Sequence, residues 1–411
     1  MSTPDHVPSL LRHPSFVMFW CARTSTNGAF QMLAVAVGWQ LYDLTNNPLD
    51  LGIVGLVQFV PLVSLSVFVG QVADRCDRRV VIAGTQVAKT LAAIALALGS
   101  LNGWLTRDLI FVIMFLIGIA RAFELPTIHA ILPDIVPQSV LPRAIAAAAS
   151  AQQTAIITGP AIGGMLYLLG PYTVYFCCVA IFVAAAVLVS LVHTAHARRE
   201  RAPMTLESLF AGFSYIRDRQ VLFGVISLDL FAVMLGGVTA LLPVFARDVL
   251  GTGPWGLGLL RSAPAIGALV MSVVLAHHTI TRRAGTYLFA SVAAYGLAIA
   301  LFGLSHWLVL SMITLAAYGA ADSISVVIRH SLVMSRTPNE MLGRVTSVNT
   351  MFTGTSGMLG DFRAGLMATW FGAVPAVLIG GVGAMVVTLL WMRLFPELPK
   401  IDKLTRARAA R

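Results

Sequence analysis

Residues 173–193 read TVYFCCVAIFVAAAVLVSLVH, an apolar run long enough to cross the hydrocarbon core of a bilayer as a helix. The whole chain has the same character, because 57% of its 411 residues are hydrophobic and only 11% are charged. A soluble domain carries about 25% charged residues. Soluble domains this apolar would expose too much apolar surface to water, so the composition predicts a polytopic membrane protein.

Twelve such runs are predicted to span the membrane. They lie near 16–42, 49–73, 79–100, 107–130, 141–168, 173–193, 220–246, 255–277, 285–304, 308–330, 343–370 and 374–395. Short turn-like connections separate most of them, such as Asn46-Asn47-Pro48. The spans predict an all-α fold with two halves of six helices each.

The connection between the halves, residues 194–219, is long, polar and basic. Apolar residues recur in it at helical spacing, which predicts an amphipathic interfacial helix: Leu206, Leu209, Phe210, Phe213 and Ile216. The predicted organisation is an N-terminal bundle (1–193), this cytoplasmic linker (194–219), a C-terminal bundle (220–395) and a basic cytoplasmic tail (396–411).

Basic residues are distributed unevenly among the predicted loops. If the N-terminus is cytoplasmic, 21 of the 28 Lys and Arg residues lie on inner segments, and only Arg107 and Arg247 lie on outer loops. The positive-inside rule therefore predicts that both termini are in the cytoplasm. The net charge of +10 reflects this topology beside an anionic leaflet rather than nucleic-acid binding.

The two halves of the sequence are weakly similar to each other. A shift of 201 residues aligns Gly118, His129, Pro137 and Arg143 with Gly319, His330, Pro338 and Arg344. A shift of 206 aligns Pro48 and Gly52 with Pro254 and Gly258. Parallel repeats of six helices with a binding site between them are an architecture of secondary transporters. The alternative is that apolar helices share Gly and Leu by composition alone.

The connection between the second and third spans reads GQVADRCDRR over residues 70–79. It resembles the loop motif of the major facilitator superfamily. The resemblance implies a cytoplasmic gate in which Gly70 permits close helix approach and Asp74, Arg75 and Arg78 form polar contacts. Asp77 stands where the motif has glycine, which disfavours a turn that needs a positive φ. The alternative is an ordinary basic loop.

The fifth span contains GPAIGG over residues 159–164, which resembles the antiporter motif of the same superfamily. Pro160 frees a backbone carbonyl and bends the helix, while Gly159 and its neighbours permit close packing. The resemblance implies a gating element of an exporter. The alternative is a packing kink with no bearing on the direction of transport.

Four further places resemble the enterobactin-exporter-like drug:proton antiporter branch of the superfamily. They are HPSF at 13–16, the acidic Asp77, TPNEMLGR at 337–344 and Gly360-Asp361. The resemblance covers nearly the whole chain. It implies the major facilitator fold and export of siderophores, macrolides or other amphipathic compounds, by proton antiport with alternating access.

Spans 1, 4, 7 and 10 line the cavity in this superfamily, and each contains a charged residue that would be costly inside a bilayer. The repeat aligns Arg23 with Asp229 and Arg121 with Asp322, so we expect opposite charges to face a shared polar cavity. The candidate proton-coupling residues are Glu124, Asp229 and Asp322. The alternative is permanent ion pairing, such as Arg121 with Glu124 at the i, i+3 spacing.

Six residues are predicted to contact the substrate: Arg23, Asn27, Gln31, Arg121, Gln152 and Asn349. The uncharged ones could instead form hydrogen bonds between helices. The four cysteines indicate neither a disulfide framework nor a metal site, and no cofactor is expected.

Together these features predict a monomeric transporter whose partners are a small-molecule substrate, protons and the bilayer. The open alternative is a proton-coupled importer of a small molecule or siderophore. A membrane enzyme would need a convergent nucleophile or metal set, which the sequence lacks. A scramblase or a sensor is a more remote alternative, and a sensor would need an output domain.

Overall fold

In the computed structural model, the described residues are 10, 13–65, 68–69, 72, 76–193, 206–278, 280 and 282–402. They form helices, turns and connections, with no β-strand in these ranges. The longer helices are α1 (Pro14–Thr45), α2 (Pro48–Ser64), α3 (Arg78–Leu101), α4 (Arg107–Ile135), α5 (Leu141–Leu166), α6 (Pro171–Ser190), α7 (Leu206–Arg217), α8 (Gln220–Gly236), α9 (Pro254–His277), α10 (Ala284–Gly303), α11 (Leu308–Arg336), α12 (Asn339–Phe371) and α13 (Ala373–Leu394).

Each of the twelve predicted spans contains one of these helices, and α7 is the additional helix of the linker. Eight helical segments in the described ranges are both long enough and apolar enough to cross a membrane. Of the other four, α2 is apolar but only 17 residues long. The remaining three, α1, α5 and α12, are long but contain more polar residues. The prediction of an all-α transmembrane fold is confirmed.

The chain forms two compact units. One contains Met1–Leu44 and Val57–Pro203, and the other contains Thr45–Leu56 and Met204–Arg411. The start of α2 therefore packs with helices that come late in the sequence. A Cβ at Gly52 would lie 3.0 Å from main-chain atoms of Asp361 and Phe362 on α12. A side chain at position 52 would separate these two helices, which explains the glycine.

The internal repeat appears in the packing of each unit. On α4, a Cβ at Gly118 would lie 3.0 Å from the main chain of Gln58 on α2. On α11, a Cβ at Gly319 would collide with the main chain of Pro264 on α9. Positions 58 and 264 differ by 206, the same shift that aligns the starts of spans 2 and 8. The two glycines thus make the same helix crossing in their respective halves.

The linker helix α7 packs against protein through its apolar face. Ile216 is only 2% exposed and joins an apolar cluster with Val345 and Val348 of α12. Phe213 stacks on Phe352 with ring centroids 6.3 Å apart. A predicted interfacial helix is therefore held by α12 on this face. Residues 194–205 of the predicted linker lie outside the described ranges.

The segment after α13 differs from the predicted free tail. Leu398 and Ile401 are buried in the apolar core of the second unit, beside α8 and α10. The Asp402 side chain accepts a hydrogen bond from the main-chain N–H of Arg283 at 2.9 Å. The segment is held in place because Leu398 and Ile401 are buried and Asp402 caps the start of α10. Residues 403–411 lie outside the described ranges.

Candidate functional site

The described part of the 70–79 motif forms a polar junction at the start of α3. Arg78 makes an ion pair with Asp134 near the end of α4. Arg79 donates to the main-chain oxygen of Val192 at 2.9 Å, just after α6. The start of α3 is thus tied to two other helices of its unit. The predicted gating residues Gly70, Asp74 and Arg75 lie outside the described ranges.

Asp77 has a clear structural reason to replace the glycine of the motif. Its backbone is extended, with φ −63° and ψ 119°, so no positive φ is needed at this position. Its carboxylate caps α3 by accepting from the main-chain N–H of Arg79 at 3.0 Å. An aspartate is among the preferred residues at a helix N-cap. The backbone at Asp77 thus agrees with the prediction that an aspartate here disfavours a turn with a positive φ.

The GPAIGG segment of α5 packs closely against α1. A Cβ at Gly159 would lie 2.7 Å from Cβ of Gln31 and 2.9 Å from the carbonyl oxygen of Gly28. A Cβ at Gly163 would lie 2.7 Å from Cα of Met32. Pro160 is buried in the same helix. The two glycines thus let α1 and α5 approach closely, which is what the packing interpretation of this motif requires.

Glu124 on α4 is neutralised by a lysine of α3. Its carboxylate makes an ion pair with Lys89, and both residues are almost fully buried, at 5% and 2% exposure. Gln86, one turn before Lys89, donates to the other carboxylate oxygen at 2.7 Å. Thr26 of α1 donates to the Gln86 side chain at 3.3 Å. Three helices therefore hold this acidic group in one network.

The two predicted arginines of this unit bind neutral groups. Arg23 on α1 donates to the side-chain oxygen of Gln152 on α5 at 2.9 Å. The guanidinium of Arg121 lies over the ring of Phe30, 4.0 Å from its centroid. The alternative of an ion pair between Arg121 and Glu124 is not observed, and Lys89 on α3 is the cation that pairs with this carboxylate.

Two of the other predicted substrate residues lie on α1 and one lies on α12. Asn27 and Gln31 are half-buried on α1, and Gln31 borders the close contact with α5. Asn349 is half-buried on α12, in the other unit. Arg23, Arg121 and Gln152 thus share the polar region of the first unit with Glu124, whereas Asn349 belongs to the second unit.

In the second unit, Asp229 of α8 forms a buried ion pair with Arg329 of α11. Thr353 of α12 donates to the second carboxylate oxygen of Asp229 at 3.4 Å. Arg329 is one of the cations that the sequence predicts on the inner side of the membrane. It lies within α11, which continues to Arg336, and it is only 4% exposed.

Asp322 lies near the same pair. It precedes Arg329 on α11 by two helical turns, so both residues are on one face. A small cavity of the second unit is lined by Asp229, Ala232, Val233, Val292, Tyr295, Asp322 and Ser325. The two acids that the sequence predicted as proton-coupling residues therefore line one cavity, and one of them, Asp229, is paired with Arg329.

A second group of charges lies on α9 and α12. Asp361 accepts a hydrogen bond from the main-chain N–H of Ala240 at 3.1 Å, in the turn after α8. Arg261 and Arg363 lie within electrostatic range of this carboxylate. The second unit thus balances its inner arginines with aspartates.

Sequence reasoning missed the partners of the predicted acids. Gln86 and Lys89 lie at the i, i+3 spacing on α3, a polar stripe in an alanine-rich helix. Arg329 follows Asp322 by seven residues, which places both on one helical face. These two spacings were the features of the sequence from which the partners could have been predicted. In the described ranges no group of three His, Cys, Asp or Glu residues could hold a metal ion.

The apolar helices, together with a family model that matches nearly the whole chain, identify a multi-pass membrane transporter of the major facilitator superfamily. More particularly, the chain belongs to the family described as transmembrane secretion effectors, whose model matches residues 7–410.

Curated relatives match the chain over nearly its whole length. The enterobactin exporter EntS of Citrobacter koseri is 27% identical over 394 residues, covering 95% of this chain and 94% of the relative. The enterobactin exporter EntS of Shigella dysenteriae is 25% identical over the same length and coverage.

Solved structures support the fold. The nucleoside transporter NupG has a TM-score of 0.72 at 14% identity, covering 93% of this chain and 99% of the other. A bacterial homologue of the lysosomal transporter Spinster has a TM-score of 0.71 at 14% identity, covering 94% and 96%. At this level of identity the likeness concerns the fold alone.

Proposed function

We propose that this protein exports small amphipathic molecules by proton antiport with alternating access. The observation that carries the proposal is the cavity of the second unit, which Asp229 and Asp322 both line while Asp229 is paired with Arg329. Two acids and one base have a net charge of −1 when both acids are ionised. They are neutral when one proton is bound.

The single arginine gives proton binding a mechanical consequence. Inside a membrane an uncompensated charge is costly, so the group favours the state that holds one proton. When Asp229 takes that proton, it loses its ion pair with Arg329, and the direct link between α8 and α11 is broken. When Asp229 loses the proton, the α8–α11 pair forms again. The proton thus changes the contact between two helices that border the cavity.

Glu124 is the third proposed proton site. It differs from Asp229 because Lys89 and Gln86 both bind its carboxylate. A proton on Glu124 would have to displace this lysine. We therefore assign the main coupling step to Asp229 and Asp322, and a supporting step to Glu124.

The remaining parts of the proposal concern the gates, the substrate and the membrane. The cytoplasmic gate is formed by residues 70–79, with Arg78 bound to Asp134, and the α1–α5 contact at Gly159 and Pro160 is the flexible element. Arg23, Asn27, Gln31, Arg121, Gln152 and Asn349 contact the substrate. The protein acts as a monomer in a bacterial inner membrane with both termini in the cytoplasm and functions as a transporter rather than an enzyme. The names of the EntS relatives favour export and a siderophore-like substrate.

A proteoliposome assay with an imposed pH gradient tests the proposal. The substrates are a catecholate siderophore and a set of amphipathic drugs. Antiport moves the substrate into the more acidic compartment as protons leave it. We expect Asp229→Asn and Asp322→Asn to abolish gradient-driven accumulation. Asp108→Asn, at an exposed position at the start of α4, is the matched control and retains it.

Accumulation in the proton-depleted compartment would instead establish symport, and the protein would be an importer. Wild-type rates in both Asn variants would exclude the assigned coupling residues.

A further inference from the structure

Three cations share one carboxylate inside the first unit. Lys89 neutralises Glu124 through their buried ion pair. Arg23 and Arg121 lie within electrostatic range of the same carboxylate, so the group has two positive charges in excess. In the described part of this unit, no other acidic side chain makes an ion pair with either arginine. An excess charge in a site shielded from water is costly unless something compensates it.

The present partners of the two arginines do not carry negative charge. Arg23 donates to the amide oxygen of Gln152, and Arg121 stacks on the ring of Phe30. Hydrogen bonds between an arginine and an ionised acceptor are about twice as strong as neutral ones. Both guanidiniums therefore bind weaker partners than a carboxylate would offer.

The second unit has no such excess. Its later helices contain three inner arginines and three inner aspartates: Arg261, Arg329, Arg363, Asp229, Asp322 and Asp361. Asp50 of α2 is a further buried acid of this unit. Its ion pair is internal to the unit, and its other arginines lie within range of an aspartate. The positive excess is thus a property of one region, not of the protein interior as a whole.

Arg23 and Phe30, whose ring Arg121 covers, lie along one side of α1. Arg23 and Phe30 are seven residues apart, which is two turns and about 10 Å of helix. Arg121 reaches the Phe30 end of this stripe from α4, and Gln152 reaches the Arg23 end from α5. A ligand lying along the stripe would meet a guanidinium near each end and an aromatic ring at one of them.

We propose that this stripe binds a small aromatic organic anion, with its carboxylate at Arg23 and its ring at the Phe30 end beside Arg121, and that the substrate of this protein is therefore anionic. This inference rests on the proposed transport function and specifies the chemical class that it carries. An anion compensates the excess charge that the empty site leaves. Gln152 positions Arg23 until the anion replaces it as the acceptor.

Equilibrium dialysis of the purified full-length protein in detergent at pH 7 measures binding without requiring transport. The probes are 1-naphthoate and its uncharged analogue 1-naphthamide, which share one ring system. We expect 1-naphthoate to bind at least about tenfold more tightly, because only the carboxylate makes charge-assisted hydrogen bonds. Equal binding of the two probes would overturn the proposal.

Three variants assign the effect to the residues. Arg23→Gln with Arg121→Gln should remove the preference for 1-naphthoate. Gln152→Glu retains both arginines and supplies an internal carboxylate at the Arg23 contact, so it should weaken 1-naphthoate binding as well. Arg107→Gln is the matched control, because Arg107 also lies over a phenylalanine ring on α4 but at the helix start, and it should bind as wild type.

The outcomes separate this inference from the transport proposal. The anion site is refuted if either the double variant Arg23→Gln with Arg121→Gln or the variant Gln152→Glu binds 1-naphthoate as tightly as wild type. This holds even where proton antiport of another compound is measured. If 1-naphthoate binding follows the expected order while Asp229→Asn transports normally, the anion site stands and the coupling assignment fails.

Discussion

Replacing Lys89 with methionine removes the cation in direct contact with Glu124 and leaves that carboxylate buried at 5% exposure, with Arg23 and Arg121 acting on it only from beyond ion-pair distance. Two opposite charges 4 Å apart interact by about 4 kcal/mol at an effective dielectric constant near 20. Breaking a buried pair from one side costs roughly 3–5 kcal/mol. The two estimates agree, so we expect Lys89→Met to lower the free energy of unfolding by about 4 kcal/mol.

The thermal midpoint of the purified protein in detergent measures this loss. For a unit of roughly 200 residues, about 2 °C is lost for each kcal/mol, which predicts a drop of about 8 °C. The double variant Lys89→Met with Glu124→Gln should recover most of it. It removes the unpaired charge and retains an acceptor for the side chain of Gln86, which now donates to Glu124 at 2.7 Å.

Arg121→Met is the matched single variant. Arg121 binds an aromatic ring rather than the carboxylate, and a cation–π contact is worth about 0.5–2 kcal/mol. Its loss also relieves the positive excess in the unit. The expected order is therefore a large drop for Lys89→Met and a small one for Arg121→Met. The reverse order would refute the assignment of Lys89 as the partner of Glu124.

Three further changes test the packing. Gly319→Ala should lower the thermal midpoint sharply, because the new Cβ would collide with the main chain of α9. Gly354→Ala is the control: its Cβ would meet nothing within 4 Å, so this variant should be neutral or gain up to about 1 kcal/mol of stability from helix propensity. Ile216→Ala should cost about 2–5 kcal/mol of stability, and an unchanged midpoint would show that α7 does not depend on this contact. A double-mutant cycle on Arg78→Gln and Asp134→Asn, measured by thermal unfolding, should give a coupling energy of about 0.5–1 kcal/mol, because both side chains are 18% exposed. A coupling energy of zero would contradict the ion pair between α3 and α4.

Sequence reasoning identified the acids of the candidate site but not their partners. Asp229 and Asp322 were selected because charges inside spans are costly, and the structure brings both to one cavity. Arg329 was not identified as a partner, although it lies within the predicted span 308–330, because it stands close to the end of that span. Hydropathy reports where a span becomes polar, and it does not report that a helix continues with its arginine buried against α8.

The partner of Glu124 illustrates the same limit. Along the chain, Arg121 is one turn away and was the obvious candidate, whereas Lys89 is 35 residues away. Local spacing can assign contacts within one helix. It cannot rank them against contacts from a neighbouring helix, which depend on the crossing of α3 and α4.

The sequence by itself determined the number of helices, the membrane class and the repeat, because these follow from apolar run length and from glycines and prolines at fixed offsets. The tertiary structure alone decided which charges compensate one another. It paired Asp229 with Arg329 and Glu124 with Lys89, and it left Arg23 bound to a neutral amide. The physical reason is that electrostatic compensation in a low-dielectric interior depends on distances between helices, which the order of residues along one helix does not contain.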